Sequence, residues 1–169
     1  LRTTVRDFKR AWSIMQSSGK FGYSDPHGLM FDFHLETMRA IPFNPEYSTD
    51  SLGYIERWVR GNPAKMAKLT RSDQAEFYYY SAVYMRVLGV VDHGKDMMDY
   101  IVKSMKAGEV TFLGETGTVE RLLILAQALR VTSGPEAERP VLLQAQQELN
   151  KISVKAGPAL KYAIALRLK

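Results

Sequence analysis

Cysteine is absent from the 169 residues. Its absence excludes disulfide staples, thiolate zinc sites and cysteine nucleophiles, and leaves the redox compartment open. Histidine is scarce: His27, His34 and His93 stand apart, with no HExxH pattern and no carboxylate at metal-ligand spacing. No apolar run approaches the roughly 20 residues that cross a bilayer. The nearest, 119–131, is interrupted by Glu120, Arg121, Gln127 and Arg130. Strand-like alternation is brief, and the Val, Ile and Thr clusters sit inside longer helical periods. LGETGT at 113–118 lacks the Lys-Ser/Thr of a phosphate-binding loop, and there is no GxSxG. Asp96 and Asp99 lie one helical turn apart with nothing that marks a cleft around them. The expectation is a chain with no catalytic residues, no cofactor, no metal and no membrane span.

What is present is a folding composition: 46% hydrophobic and 24% charged residues, within the range of globular domains. The net charge of +5 is concentrated at the ends. Residues 149–169 hold Lys151, Lys155, Lys161, Arg167 and Lys169 and no acid, and the first ten residues hold Arg2, Arg6, Lys9 and Arg10 against Asp7. Basic ends suit a polyanion, because each phosphate contact releases counterions. They also suit plain solubility. The chain begins at Leu1 and stops at Lys169 inside a helical pattern, as expected of a piece of something longer.

Helix punctuation recurs. Thr4 to Gln16 reads as a helix with Thr4 and Asp7 as a capping box. A loop, SSGKFGYS, follows, and Asp25-Pro26 opens a helix to about Ala40. Ile41 to Tyr47, with two prolines, reads as a connector. Shorter helices are expected over Asp50–Arg60 and from Asn62-Pro63 to about Leu69. Ser72 to Leu88 is stopped by Gly89, and Asp92 starts a helix with Met97, Met98, Ile101, Val102 and Met105 on one face. Gly108 ends it. Gly114 to Thr118 reads as a loop, Thr118 to Thr132 as a helix, Pro140 as the head of the next, and a last helix begins at Pro158 or Ala159. The chain reads as all-α.

Short helical phrases repeat: AVYMRV at 82–87, AQALRV at 126–131, AIALRL at 163–168 and a looser HLETMRAI at 34–41. A shift of 44 residues lays Ala82 on Ala126, Met85 on Leu129 and Arg86 on Arg130. The same shift lays Met98 on Leu142, Ile101 on Ala145 and Met105 on Leu149. The arginines Arg39, Arg86, Arg130 and Arg167 are spaced by 47, 44 and 37 residues. Two helices per unit at such a period predict an α-solenoid of antiparallel helix pairs, about 37–47 residues per repeat. Residues 1–68 would hold degenerate repeats and 69–169 clearer ones. An irregular bundle is the alternative, since Ala-x-Ala-Leu-Arg is built from strong helix formers.

Paired helices whose first member ends in Ala-x-Ala-Leu-Arg-apolar and Gly resemble the octotricopeptide and heptatricopeptide repeat proteins. The likeness covers roughly Leu69 to Lys169; armadillo and HEAT arrays have similar periods. The resemblance implies RNA binding, usually in mitochondria or chloroplasts, by positioning rather than chemistry. On that reading Arg39, Arg86, Arg130 and Arg167 form a ladder for phosphates, joined by Lys151, Lys155, Lys161 and Lys169, and Tyr80 and Tyr84 of EFYYYSAVY stack on bases. The competing expectations are that Arg86 and Arg130 only meet the carbonyls of their last helical turns, that the tyrosines and the methionines of 97–105 are core, and that the array grips other protein subunits with no RNA contact.

Overall fold

The computed structural model describes residues 45–152 and 158–168, together with His34, Leu35 and Met38. The helices read at Thr4–Gln16 and Asp25–Ala40 fall largely outside these residues, as do Arg39, Lys155 and Lys169. Among the described residues all regular structure is helical and no strand occurs. The elements are α1 (Pro45–Gly61), α2 (Pro63–Met66), α3 (Arg71–Leu88), α4 (Val90–Ala107), a 3₁₀ segment (Thr111–Thr116), α5 (Gly117–Ser133), α6 (Pro135–Leu149) and α7 (Pro158–Leu168). No helix among them is long and apolar enough to cross a membrane.

Local chemistry sets the helix ends. The Thr70 hydroxyl oxygen accepts from the Asp73 backbone N–H at 3.1 Å and donates to the Asp73 carboxylate at 2.6 Å, which satisfies one orphan donor at the start of α3. Thr70→Ala is therefore expected to cost about 1 kcal/mol, read as a lowered urea midpoint. The stops of α3 and α5 are Gly89 (φ +135°) and Gly134 (φ +92°). Only glycine enters this region without a Cβ penalty. Each is the single residue between two helices, so α3 turns directly into α4 and α5 into α6.

That economy corrects two expected starts. Helix α4 begins at Val90, before Asp92, and α6 begins at Pro135, not Pro140. Pro135 fits the first turn, where its missing N–H is no loss. Pro140 sits inside α6 at an exposed position and gives up one backbone bond to Glu136. The expected connector at 41–47 yields to α1 from Pro45, and the loop at 114–118 is replaced by the 3₁₀ segment and the start of α5.

Packing follows chain order. Helix α1 lies against α3, α3 against α4, α4 against α5, α5 against α6 and α6 against α7, while α3 touches α5 only lightly. Buried side chains form two clusters rather than one. The first gathers Ile55, Phe77, Tyr80, Met97 and Ile101 with Ile124 and Ala128 of α5. The second gathers Val119 and Leu122 of α5 with Ala145, Leu149 and Ile164. Helix α5 feeds both, and its apolar text runs almost all round because helices cover it on opposite sides. The 44-residue shift connects positions of like environment: Ala82 and Ala126 are fully buried, as are Ile101 and Ala145, and Val87 and Val131 are both exposed.

Candidate nucleic-acid interface

The recurrent arginines meet three different fates. Arg130 leaves the last turn of α5, and because Gly134 reverses the chain at once, Glu138 in the first turn of α6 stands beside it. Arg130 Nη1 donates to Glu138 Oε2 at 3.3 Å. Arg167, from α7, donates through Nε to Glu138 Oε1 at 2.7 Å, and its Nη2 meets the same oxygen. The Glu138 side chain is only 3% exposed. A carboxylate that deep is costly unless each oxygen has a strong donor, and here each oxygen has one. Two successive repeat arginines thus converge on one buried anion, joining α5, α6 and α7. Arg86, the third, is exposed and has no ion pair among the described residues. Arg39 lies outside them.

Glu138 brings Arg130 and Arg167 together, an attachment that phosphate would have to displace, whereas Arg86, on α3, is not engaged by that carboxylate. The lysines divide as well. Lys151 pairs with Glu148 at 2.7 Å on the surface, a contact of small worth. Lys161 is exposed and has no ion pair among the described residues, which do not include Lys155 and Lys169. Asp99 is held by Lys103 at 2.6 Å.

The two tyrosines also part. Tyr80 is 2% exposed, and its ring stacks on Phe112 with centroids 5.3 Å apart and planes 11° from parallel. No base can reach that ring without unpacking the first cluster, so Tyr80 is a core residue. Tyr84, one turn on, is half-buried and lines a cavity with Gly53 and Arg57.

Arg86 and Arg130 lie in the last turns of α3 and α5, as expected, but among the described residues the side-chain hydrogen bonds to helix-end carbonyls come from other arginines. Helix α4 ends on Gly108, and its last carbonyls receive two guanidinium groups. Arg71 donates to Ala107 O and Lys106 O, each at 3.1 Å. Arg121 donates to Ser104 O at 3.3 Å, to Gly108 O, and to Gly117 O of its own helix at 3.1 Å. Cations there also meet the negative end of the helix dipole. Arg121 is buried, and desolvation lowers its pKa from the ordinary arginine value. A second buried carboxylate, Glu56 of α1, accepts from Arg60 Nε at 2.7 Å and from the Tyr100 hydroxyl at 2.9 Å. Burial first, and then the bond to Glu56, push the Tyr100 pKa up to about 12.

Sequence reasoning missed Glu138, Arg121, Arg71 and Glu56. Only Glu56 had a local signal, its i,i+4 spacing to Arg60. Exposed aliphatic side chains mark one edge instead: Val87, Leu88 and Val91 surround the Gly89 turn, and Val131 packs beside α4 where a Cβ on Gly94 would stand 2.5 Å from its Cγ2. With this geometry in hand, comparison supplies no precedent: no protein-family model, curated protein or solved structure matches the chain.

Proposed function

We propose that this chain is a segment of an α-solenoid of antiparallel helix pairs that holds a protein partner in position and performs no chemistry itself. The observation that carries the reading is the closure of Arg130 and Arg167 on buried Glu138, which spends the repeat arginine on joining one unit to the next. Supporting it are the one-residue glycine turns, packing between sequence neighbours, and two apolar clusters in place of one centre. These are the traits of an array whose stability is summed over neighbouring units. The partner is taken to be protein because the turn edge exposes Val87, Leu88, Val91 and Val131, with Val91 84% accessible. Arg86 and Arg130 flank them. A segment offering aliphatic side chains beside carboxylates complements that edge.

A second reading, contact with RNA in an organellar processing or ribonucleoprotein assembly, is favoured by the unpaired exposed cations Arg86 and Lys161 and the net charge of +5. Fluorescence anisotropy with a labelled single-stranded RNA, titrated with salt, separates the two. The scaffold reading expects affinity no tighter than the non-specific range of roughly 10⁻⁴–10⁻⁶ M. Nanomolar affinity that falls steeply with salt, and is lost in Arg86→Gln/Lys161→Gln, would replace it with the RNA reading.

A further inference from the structure

A cavity of about 300 Å³ lies between α1, α3 and His34, lined by His34, Asp50, Gly53, Tyr54, Arg57 and Tyr84. In the other cavities several of the lining cations are already engaged by the protein. Arg130 and Arg167 are taken by Glu138, Lys151 by Glu148, and Arg121 by three carbonyls. Here they are not: Arg57, Asp50 and the Tyr84 hydroxyl have no hydrogen bond or ion pair with other described residues. A guanidinium, a carboxylate and a phenol thus share one recess without a hydrogen bond or ion pair among the described residues.

The aromatic walls are built in. His34 stacks on Tyr54 at 4.3 Å between centroids, and its Nδ1 is within 2.9 Å of Ser51 Oγ. Gly53 lets the Tyr84 ring lie against α1, since a Cβ there would be 2.9 Å from Tyr84 Cζ. Burial, and then Arg57, lower the His34 pKa to about 4, so the histidine is a neutral ring at pH 7 and Arg57 supplies the positive charge.

We propose that this cavity binds one nucleoside monophosphate unit, its base against Tyr54 and Tyr84, its phosphate on Arg57 and its ribose hydroxyls or exocyclic amine on Asp50. The size admits one nucleotide and little more. The pairing of ring faces with one guanidinium is the chemistry that stacks a base and binds a phosphate. The unit is a free mononucleotide or one residue of an RNA strand. The site is independent of the scaffold reading, and either can fail alone.

Isothermal calorimetry on the whole chain tests it, with AMP, adenosine, ribose 5-phosphate and a short oligoadenylate as probes. AMP is expected to bind at least about tenfold more tightly than adenosine or ribose 5-phosphate, since each lacks one of the two contacts. Arg57 is on the surface, so Arg57→Gln should fold normally, weaken AMP about tenfold and leave adenosine unchanged. Gly53→Ala, which pushes the Tyr84 ring aside, should weaken AMP and adenosine alike. Oligoadenylate far tighter than AMP, with the same Arg57 dependence, would identify the source as RNA; the pocket would stand and the scaffold reading would fall. No binding of AMP or oligoadenylate, or AMP binding unchanged in Arg57→Gln, overturns the proposal.

Discussion

Glu138→Ala is expected to destabilise the fold by about 3 kcal/mol, measured as a lowered urea midpoint. Breaking a buried ion pair is expensive because the surviving charge stays desolvated. Here the survivors differ. Arg130 is 55% exposed and recovers water readily, whereas Arg167 is only 24% exposed and has little beyond a long contact to Leu123 O at 3.4 Å. The cost therefore falls mainly on the α6–α7 joint, at the low end of what losing a buried pair exacts. Arg86→Gln is the matched control. It removes the arginine of the same repeated phrase, but one on the surface without an ion pair, and should stay within about 0.5 kcal/mol of the parent.

Arg121→Ala ranks beside it. Gly108 O, just past the end of α4, takes a donor from this buried guanidinium, which also shares Ser104 O with the Gly108 backbone N–H. No intrahelical N–H is available to carbonyls at a helix end. Hydrogen bonds from a charged donor contribute about 1.5–3 kcal/mol each. Burial of the cation offsets part of that, as the depressed pKa shows, leaving a net loss of about 2–3 kcal/mol. The damage should be local. Hydrogen exchange is expected to rise first in the last turn of α4 and the first turn of α5, with α1 and α6 little changed. Uniform loosening of all helices would contradict the assigned role.

Much of the fold was legible because its signals are local. Gly89 and Gly134 stop helices that the sequence already ends there, and the 44-residue shift pairs Ala82 with Ala126 and Ile101 with Ala145 at equal burial. Helix starts were less legible. Asp92 and Pro140 are respectable first-turn residues, yet a one-residue turn carries the helix back to Val90 and Pro135, and only the tertiary arrangement reveals that the turn is so short. The candidate site was hardest to read. A search for acids three or four residues before each arginine finds only partners within one helix. Glu138 lies 8 residues beyond Arg130 and 29 before Arg167, and the repeat shift lays it on Gly94, so no recurring acid accompanies the recurring arginine. Tyr80 and Tyr84 share a helical face, and periodicity alone could not assign one to the core and the other to a cavity wall.

The most direct test of the account is a double-mutant cycle between Arg167 and Glu138, in equilibrium unfolding of Arg167→Gln, Glu138→Ala and the double variant. If the repeat arginine fastens one helix pair to the next, the two substitutions should be strongly non-additive, with a coupling of about 1–3 kcal/mol, while Arg86→Gln combined with Glu138→Ala should simply add. Additive effects of Arg167→Gln and Glu138→Ala would mean that the arginine does not hold the units together.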